Sequence, residues 1–410
     1  MNPILDERID ATLRTVPEDA SGLGLITLLQ KRLPPELART AASLWELRHR
    51  AARRFPTMSL PYLTRKGLAQ ASSEVVARRR AAHIAARAPS ARALDATCSI
   101  GADSVALALA GVSVVSCDRD LACVELTRAN LEAHGRRALV AVADAAAPAV
   151  RTDLYLCDPD RRDDGRRSLD PREWSPTLEA ALRTAARFSG ACLKLAPALD
   201  PALLEEAEAV ALPTALPRRR EWLSRSGELV EVALWTGVLA DDAPSDRVAT
   251  RLDREGGEAT FAGSPVAVAP LSEAAAAEVR WIADPDPALL RAGLLGALAT
   301  SLGLAPLAAQ IAYLGGSQRP VSPFLRVWRV LGSVPLDRKR VRALLAEHDV
   351  GPLRVRKRGH SDPPEVLERR FRGRGTRTGD LLVARLERGH RAYLVEAPST
   401  VDDGAASPTS

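Results

Sequence analysis

The chain contains 410 residues, 46% of them hydrophobic and 26% charged, so it is long enough to form two or three ordinary globular domains. The first 20 residues contain no apolar block, and no run of 18 apolar residues occurs, which predicts a cytoplasmic protein with no membrane partner. No two of the five cysteines have the Cys-x-x-Cys spacing of a zinc site, so we expect free thiols and no bound metal.

The positive charge is concentrated towards the C-terminal end. Residues 316–400 contain 19 Lys and Arg against 9 Asp and Glu, a net charge of +10, so the rest of the chain carries −4 of the total of +6. A basic segment on an otherwise slightly acidic chain favours a polyanionic partner for that segment. The alternative is a set of solvated arginines that reflects a coding bias towards Arg and Ala.

Residues 1–90 have the periodicity of helices. The pair Pro34-Pro35 and the single Pro56 interrupt three runs rich in Leu and Ala. The runs are Ser21–Leu33, Glu36–Phe55 and Leu68–Arg87. They predict an N-terminal helical region.

From residue 91 to residue 240, short apolar strands alternate with helices. The predicted strands are Ala91–Thr97, Val112–Asp118, Ala138–Ala143, Asp153–Cys157 and Ala191–Leu195. The predicted helices are Asp103–Ala110, Leu121–His134 and Leu178–Arg187. Arg219–Ser224 and Leu229–Thr236 form a closing antiparallel hairpin. This order predicts an α/β fold, with a Rossmann-like, doubly wound parallel sheet that ends in the hairpin.

The remaining residues are predicted to form two further parts and a tail. Residues 241–315 form a connecting region with a hairpin and with helices over Ala274–Ile282 and Pro287–Leu302. Residues 316–397 form a small basic α+β domain, and residues 398–410 form a disordered tail.

The basic domain combines three predicted helices with three predicted strands. The helices are Ser322–Leu331, Asp337–Glu347 and Pro363–Phe371. The strands are Leu353–Arg356, Leu381–Arg385 and Ala392–Glu396.

Acidic residues stand at the ends of three consecutive predicted strands. Asp95 precedes a turn of small residues that leads into a helix, Asp118 ends the second strand, and Asp144 follows the third. Because the carboxyl ends of parallel strands share one edge, these residues predict a nucleoside-cofactor site, with Asp118 on the ribose and Asp144 near the adenine. The turn contains a single glycine, so it is not the dinucleotide fingerprint. The candidate cofactor-binding residues are Asp95, Thr97, Cys98, Gly101, Asp103, Asp118 and Asp144.

The order Asp95-x-x-Cys98-x-Ile-Gly101, Asp118, Asp144 and Asp158-Pro159 resembles the class I S-adenosylmethionine-dependent methyltransferases. It most resembles the bacterial family whose members carry a C-terminal THUMP-like domain. The segments 62–71, 311–326 and 353–359 also resemble that family, so the resemblance covers roughly residues 60–397. The catalytic domain is distantly similar to trimethylguanosine synthase, which methylates a guanine amino group in RNA.

The resemblance implies S-adenosylmethionine as the cofactor and RNA, most often tRNA, as the molecule that docks on the basic domain. The family often has glycines in the cofactor loop where this chain has Ser99 and Ala102. Both residues are small enough for a ligand to approach closely if their φ angles stay negative, so we expect cofactor binding to be kept.

The fourth predicted strand leads into Asp158-Pro159-Asp160-Arg161-Arg162. Amino-directed methyltransferases have Asp or Asn, Pro, Pro and an aromatic at a similar place. There, oxygen acceptors draw on the N–H groups of the target amine, and positioning and exclusion of water supply most of the acceleration. The candidate catalytic residues are Asp158, Pro159, Asp160 and Arg161. Arg161 can stack on a base or hold a phosphate, or it can pair with nearby acids.

Basic residues in both the sheet and the C-terminal domain are candidates for binding RNA. They are Arg162, Lys194, Arg354, Arg356, Lys357, Arg358, Arg370 and Arg372. Lys194 ends the fifth strand and can either reach a phosphate or extend into solvent. Trp174 is more typical of a packing residue than of a platform for a base.

These patterns predict an RNA methyltransferase that acts on a base of tRNA or rRNA. One alternative is a non-catalytic RNA-binding protein on a methyltransferase scaffold, and another is a methyltransferase for a small molecule or a protein. The sequence does not predict an oligomeric state.

Overall fold

The computed structural model describes residues 2–160, 162–163, 166–168, 170–240, 245–253 and 256–396. Arg161, the side chain of Arg162 and the predicted tail lie outside the described residues. The chain forms two compact units. They are Met1–Arg219 with Ala233–Asp242, and Arg220–Val232 with Ala243–Ser410.

Helices form the N-terminal part of the first unit. After a 3-10 helix (Pro3–Leu5) they are α1 (Glu7–Leu13), α2 (Gly22–Gln30), α3 (Pro35–Ala52), α4 (Arg65–Gln70) and α5 (Glu74–Arg87). The prediction of one helix over 68–87 was wrong, because the backbone is extended at Ala71 and Ser73 and separates α4 from α5. The hydroxyl of Thr64 accepts a hydrogen bond from the Gly67 backbone N–H and thereby caps α4.

Strands and helices then alternate along the chain up to residue 237, and most of them build the sheet of the first unit. In chain order they are β1 (Arg92–Asp95), α6 (Ala102–Leu109), β2 (Ser113–Asp118), α7 (Leu121–Ala133), β3 (Leu139–Val142), β4 (Leu154–Cys157), β5 (Arg162–Asp163), β6 (Arg166–Arg167), α8 (Leu178–Ala185), β7 (Gly190–Leu195), α9 (Pro201–Ala211), β8 (Arg218–Arg225) and β9 (Glu228–Gly237). The sequence analysis did not predict α9, although Asp200 and Pro201 form a usual helix start.

The strand order in the first unit is β9-β7-β4-β1-β2-β3. The pairs β3–β2, β2–β1, β1–β4 and β4–β7 are parallel, as the sequence predicts. The chain passes from β1 to β2 on one side and later returns to β4 on the other side. A sheet of this kind opens a crevice outside the carboxyl ends of its strands, where the order reverses. In this sheet the crevice is expected at the carboxyl ends of β1 and β4.

The predicted hairpin joins β8 and β9 through a tight turn. Ser226 and Gly227 both have positive φ, at 53° and 80°. Two successive residues of this conformation are typical of the two-residue turns that match the twist of antiparallel strands.

The second unit contains two groups of strands and the helices that cover them. Its further elements are β10 (Arg247–Leu252), β11 (Glu258–Gly263), α10 (Glu273–Ala277), β12 (Trp281–Pro285), α11 (Pro287–Arg291), α12 (Leu295–Ser301), β13 (Ala305–Ala308), β14 (Ile311–Gly316), β15 (Leu325–Pro335), α13 (Arg338–Glu347), β16 (Val350–Arg358), α14 (Pro364–Phe371), β17 (Arg377–Leu386) and β18 (Gly389–Val395). β10 pairs in parallel with β8 and antiparallel with β11. Seven strands form a separate sheet in the order β13-β14-β12-β15-β18-β17-β16.

The structure divides the second half of the chain differently from the prediction. Residues 241–315 do not stand apart from residues 316–397, because β12, β13 and β14 belong to the same sheet as β15. The prediction of a helix over Ser322–Leu331 was wrong, since β15 occupies most of that segment and pairs with β12 and β18. The predicted helix over Pro287–Leu302 is broken at Gly293, whose φ is 72°.

Among the described residues, no helix is long and apolar enough to cross a membrane. Nor does this part of the chain contain three or more His, Cys, Asp or Glu side chains placed to hold a metal ion.

Candidate active site

The carboxyl edge of the first unit's sheet opens into a cavity of about 510 Å³. This volume lies in the usual range for sites that bind small molecules and cofactors. The cavity is lined by the ends of the parallel strands, by the loop between β1 and α6, and by α4. Among the residues that line it are the sequence candidates Thr97, Cys98, Asp103, Asp118, Asp144, Asp158, Pro159, Asp160 and Lys194.

Two of the predicted cofactor residues lie behind the cavity wall. Asp95 is only 5% exposed and accepts a hydrogen bond of 2.5 Å from the Ser104 hydroxyl. Burial, and then the charge of Asp103, raise the pKa of Asp95 to about 7. Gly101 has a φ of 81°, and a Cβ there would stand 3.1 Å from the Thr127 Cα. Both residues therefore shape the wall and do not line the cavity.

The loop between β1 and α6 has a backbone that usually favours glycine. Ser99 has a φ of 52°, so the condition of a negative φ, on which the sequence analysis based close approach of a ligand, is not met at this position. Its N–H donates to Asp118 Oδ2 at 3.0 Å, and its carbonyl accepts from Thr127 Oγ1 at 3.0 Å. These two bonds offset the cost of the left-handed conformation. Ala102 begins α6 and keeps a helical backbone.

The carboxylates at the ends of β2 and β3 are held in place by backbone N–H groups. Asp118 Oδ1 accepts from the N–H of Asp120 at 3.0 Å, in addition to the bond from Ser99. Asp144 Oδ1 accepts from the N–H of Ala146 at 2.9 Å. Because each carboxylate oxygen can accept more than one hydrogen bond, both side chains can still bind the hydroxyl or amino groups of a ligand.

Lys194 links the cofactor side of the cavity to the Asp158-Pro159 motif. Its Nζ lies 2.6 Å from Asp158 Oδ2 and 3.1 Å from Asp103 Oδ2. Arg80, which is 2% exposed, binds the other oxygen of Asp103. Burial alone would raise the pKa of Asp103, but Arg80 and Lys194 lower it below its usual value. The structure thus places Lys194 in ion pairs inside the cavity, whereas the sequence suggested an RNA phosphate contact.

Asp160 is fixed by a helix that precedes it by ninety residues or more. Lys66 Nζ lies 2.9 Å from Asp160 Oδ2, and Gln70 Nε2 donates to Oδ1 at 3.0 Å. The backbone of Asp160 also exchanges hydrogen bonds of 2.8 and 2.9 Å with Ser175. The sequence analysis did not single out Lys66 or Gln70 as site residues. The only signal was the resemblance of segment 62–71 to the family.

The backbone of Asp158 is held at the end of β1, because its N–H donates to Thr97 Oγ1 at 2.7 Å. Among the described residues that line the cavity, none is aromatic. Trp174 is 3% exposed, and its Nε1 donates to the Ser168 carbonyl at 3.2 Å. It is therefore a packing residue.

The lining suits a nucleoside cofactor that carries a positive charge. Carboxylates stand at the ends of three strands, and the loop after β1 has small residues next to the cavity at Ala96, Ser99 and Ala102. α4 packs closely against this loop, since a Cβ on Gly67 would collide with the Ile100 side chain. A parallel sheet with this cavity at its switch point defines a class I methyltransferase fold with room for its cofactor.

Comparisons with known proteins agree with this class. Two uncharacterized S-adenosylmethionine-dependent methyltransferases, from two strains of Mycobacterium tuberculosis, are each 33% identical over 335 residues, which is 81% of this chain and 86% of the relative. Residues 325–397 match the THUMP domain-like family. A candidate methyltransferase from Porphyromonas gingivalis has a similar fold, with a TM-score of 0.73 and 18% identity over 96% of this chain and 99% of its own.

The chain belongs to the S-adenosylmethionine-dependent methyltransferase family, with a THUMP-like domain at its C-terminus. The predictions of the family, the α/β fold, the methyltransferase activity and the cofactor are confirmed. S-adenosylmethionine supplies a methyl group on a sulfonium centre, and the residues described above have the charge and the space to hold it.

The basic candidates of the C-terminal domain lie on two different faces of its sheet. Leu353 and Val355 share a core cluster with α13 and α14, so strand alternation turns Arg354 and Arg356 to the opposite face. Arg370 lies on α14 itself. The basic candidates of this domain therefore do not all share one face of the sheet.

The basic side chains of β16 make contacts within the domain. Arg354 forms an ion pair of 2.6 Å with Asp380, and Arg358 forms one of 2.5 Å with Asp284. Arg356 lies over the Trp328 ring at 5.8 Å, and Lys357 donates to the His360 carbonyl at 2.7 Å. These side chains contribute to the fold of the domain whether or not they also meet RNA.

Proposed function

We propose that this methyltransferase methylates a base in RNA, either tRNA or rRNA, and that its basic C-terminal domain docks the RNA. The observation that carries the proposal is the position of Asp158-Pro159 at the cavity, beside the acids that suit the cofactor. The excess positive charge of residues 316–400 and the THUMP-like match support the docking role.

Asp158 and its neighbours would place the target nitrogen. Lys194 holds Asp158 Oδ2, which leaves Oδ1 as an acceptor for an N–H of the substrate. Pro159 fixes the backbone that follows, and Lys66 and Gln70 fix Asp160. Catalysis would then come from positioning the amine and from exclusion of water. A base in a paired region would have to leave the stack before it could enter the cavity.

The absence of an aromatic ring among the described lining residues favours a second candidate, methyl transfer to a small molecule or a protein. An acceptor of that kind does not need a stacking platform. The third possibility, a scaffold without catalysis, is opposed by the intact acids at the ends of β2 and β3 and by the ion-paired motif.

The cofactor site can be tested by calorimetry. S-adenosylmethionine should bind the wild-type chain, and Asp118→Ala should weaken binding at least tenfold, because it removes the carboxylate that we propose binds the ribose. Glu179→Ala, on the exposed side of α8, is the matched control and should bind like the wild type. Equal binding by Asp118→Ala and the wild type would remove Asp118 from the cofactor site.

The substrate can be identified from modified nucleosides in RNA of cells with and without the gene. One methylated nucleoside should be missing from tRNA or rRNA when the gene is deleted, and Asp158→Ala should not restore it. If the RNA profiles are identical while purified protein methylates small molecules or proteins, the second candidate replaces the first.

A further inference from the structure

The helical side of the C-terminal sheet carries a dense group of cations. α13 and α14 cover the same face, because Val341 and Leu344 of α13 and Leu367 and Phe371 of α14 belong to one core cluster. Their other sides are therefore exposed together. We call the exposed cations on this side the basic helical face. Its members are Arg338, Lys339, Arg340 and Arg342 of α13, Arg369 of α14 and the adjoining Arg372.

The cations of the basic helical face form no ion pairs with the described acids of the domain. Among the described residues, no carboxylate oxygen lies within ion-pair distance of these six side chains. Two acids of the helices and their caps accept backbone N–H groups: Asp337 accepts those of Lys339 and Arg340 at 2.9 and 3.0 Å, and Glu368 accepts that of Val355 at 2.9 Å. On β16, by contrast, Arg354 and Arg358 are ion-paired.

Helix stability does not explain the charge of α13. Three of its cations lie in the first turn, where the helix dipole disfavours positive charge. Arg338 and Arg342 are also like charges at the i, i+4 spacing, which is unfavourable. A surface that gathers cations against these effects suits an anionic partner.

The chemistry of the face indicates which anionic partner it suits. α13 has no aromatic residue, and Phe371 of α14 is fully buried, so neither helix offers a ring on which an unpaired base could stack. Arginine and lysine at helical spacing match the phosphates of a nucleic acid backbone without reading its bases. A paired region of RNA presents such a backbone.

We propose that the basic helical face, and not the arginine group on β16, is the surface on which the C-terminal domain docks the backbone of paired RNA. This inference rests on the proposed function, because it assumes that the substrate is RNA. It assigns the docking role to four residues of α13 that the sequence analysis did not single out.

The test uses the full chain and two variants in which glutamine replaces cations on one surface or the other. One variant carries Arg338→Gln, Lys339→Gln, Arg340→Gln and Arg342→Gln, and the control carries Arg354→Gln and Arg356→Gln. Binding of an RNA duplex of about 16 base pairs, and of bulk tRNA, is measured from low to moderate salt. The α13 variant should bind at least tenfold more weakly, with a salt slope reduced by about 0.9 for each phosphate that the variant no longer neutralises. The control should stay within about twofold of the wild type.

Several outcomes would overturn the inference or its premise. Wild-type affinity of the α13 variant, or a larger reduction of affinity in the β16 control, would overturn the choice of surface. Equal affinity for an acidic peptide would overturn the choice of RNA. If the wild-type chain binds no RNA at any salt, the RNA part of the proposed function fails instead. Thermal unfolding and S-adenosylmethionine binding, measured on each variant, show that the two units remain folded.

Discussion

At the scale of single residues, the depth of each acid along the sheet decides whether its carboxylate meets the cavity. Asp118, Asp144 and Asp158 line the cavity, whereas Asp95 is buried behind it. Asp95 is in register with Ser116 and Leu156, two residues before Asp118 and Asp158, so it lies deeper in the sheet than these acids do. The sequence locates the end of a strand only to within a residue or two, which is why it could not separate these cases.

The burial of Asp95 predicts an unusual dependence of stability on pH. Its pKa is about 7 in the folded protein, because of burial and Asp103, against 3.8 for an ordinary Asp. Between these values the folded state binds a proton that the unfolded state has released, so the contribution of Asp95 to stability falls as pH rises towards 7. Asp95→Asn keeps an oxygen for the Ser104 hydroxyl and removes the charge.

Denaturant unfolding from pH 5 to pH 8 should therefore show a smaller decrease of stability for Asp95→Asn than for the wild type. The variant should be more stable at pH 8, by at most roughly 4 kcal/mol, which is the free energy of a shift of this size. Asp103→Asn should make the protein less stable than the wild type at pH 8, because it deprives the buried Arg80 of a carboxylate partner. A parallel pH dependence for Asp95→Asn and the wild type would show that Asp95 does not titrate in this range.

A substitution of Lys194 can distinguish two roles for its side chain, which are positioning Asp158 in the cavity and binding an RNA phosphate. Its ammonium group lies between Asp103 and Asp158, and its side chain is only 11% exposed. Lys194→Met should leave Asp158 poorly positioned and lower kcat by about tenfold to a hundredfold, with the RNA Kd changed little. Lys194→Arg should recover part of the activity. A raised RNA Kd with unchanged kcat would instead return Lys194 to a phosphate-binding role.

At the scale of elements, the pattern of strands and helices predicted the first sheet and failed where an apolar run was ambiguous. The segment that holds β15 was predicted as a helix because its apolar residues also satisfy the helical period. Hydrogen bonds to β12 on one side and to β18 on the other stabilise this segment as a strand. A single sequence does not show that pairing. The sequence did not predict the contact of α4 with Asp160 either, because the residues that form it lie far apart in the chain.

The contact between α4 and Asp160 predicts that a helix outside the sheet affects catalysis. Lys66→Met combined with Gln70→Leu removes both side-chain partners of Asp160 named above. Stability should change by about 1 kcal/mol or less, because Lys66 is largely exposed. The kcat should fall by about tenfold, because the loop after β4 loses its support.

Arg65→Met is the control for this double variant. Arg65 lies next to Lys66 on α4 and forms an ion pair of 3.9 Å with Glu46, and both side chains are largely exposed. It should retain wild-type kcat and stability. A double variant with unchanged kcat would mean that α4 does not position Asp160 for the reaction.

At the scale of the whole molecule, acids and cations are segregated along the chain. The cavity belongs to the first unit and is lined by six aspartates, while residues 316–400 of the second unit carry a net charge of +10. The two binding events therefore have different electrostatics. In the proposed function, cofactor binding would depend on short hydrogen bonds to enclosed carboxylates, whereas RNA docking would depend on exposed cations that compete with salt.

Salt should therefore separate the two binding events in one protein. When the salt concentration rises from about 50 to about 200 mM, the KM for RNA should increase by at least tenfold, as the release of counterions from several phosphates requires. Over the same range, the Kd for S-adenosylmethionine should change by less than about twofold, because enclosed groups are screened weakly. Steady-state kinetics and calorimetry on the same samples provide both numbers. Equal salt dependence of the two constants would mean that the basic residues of the second unit do not carry the RNA.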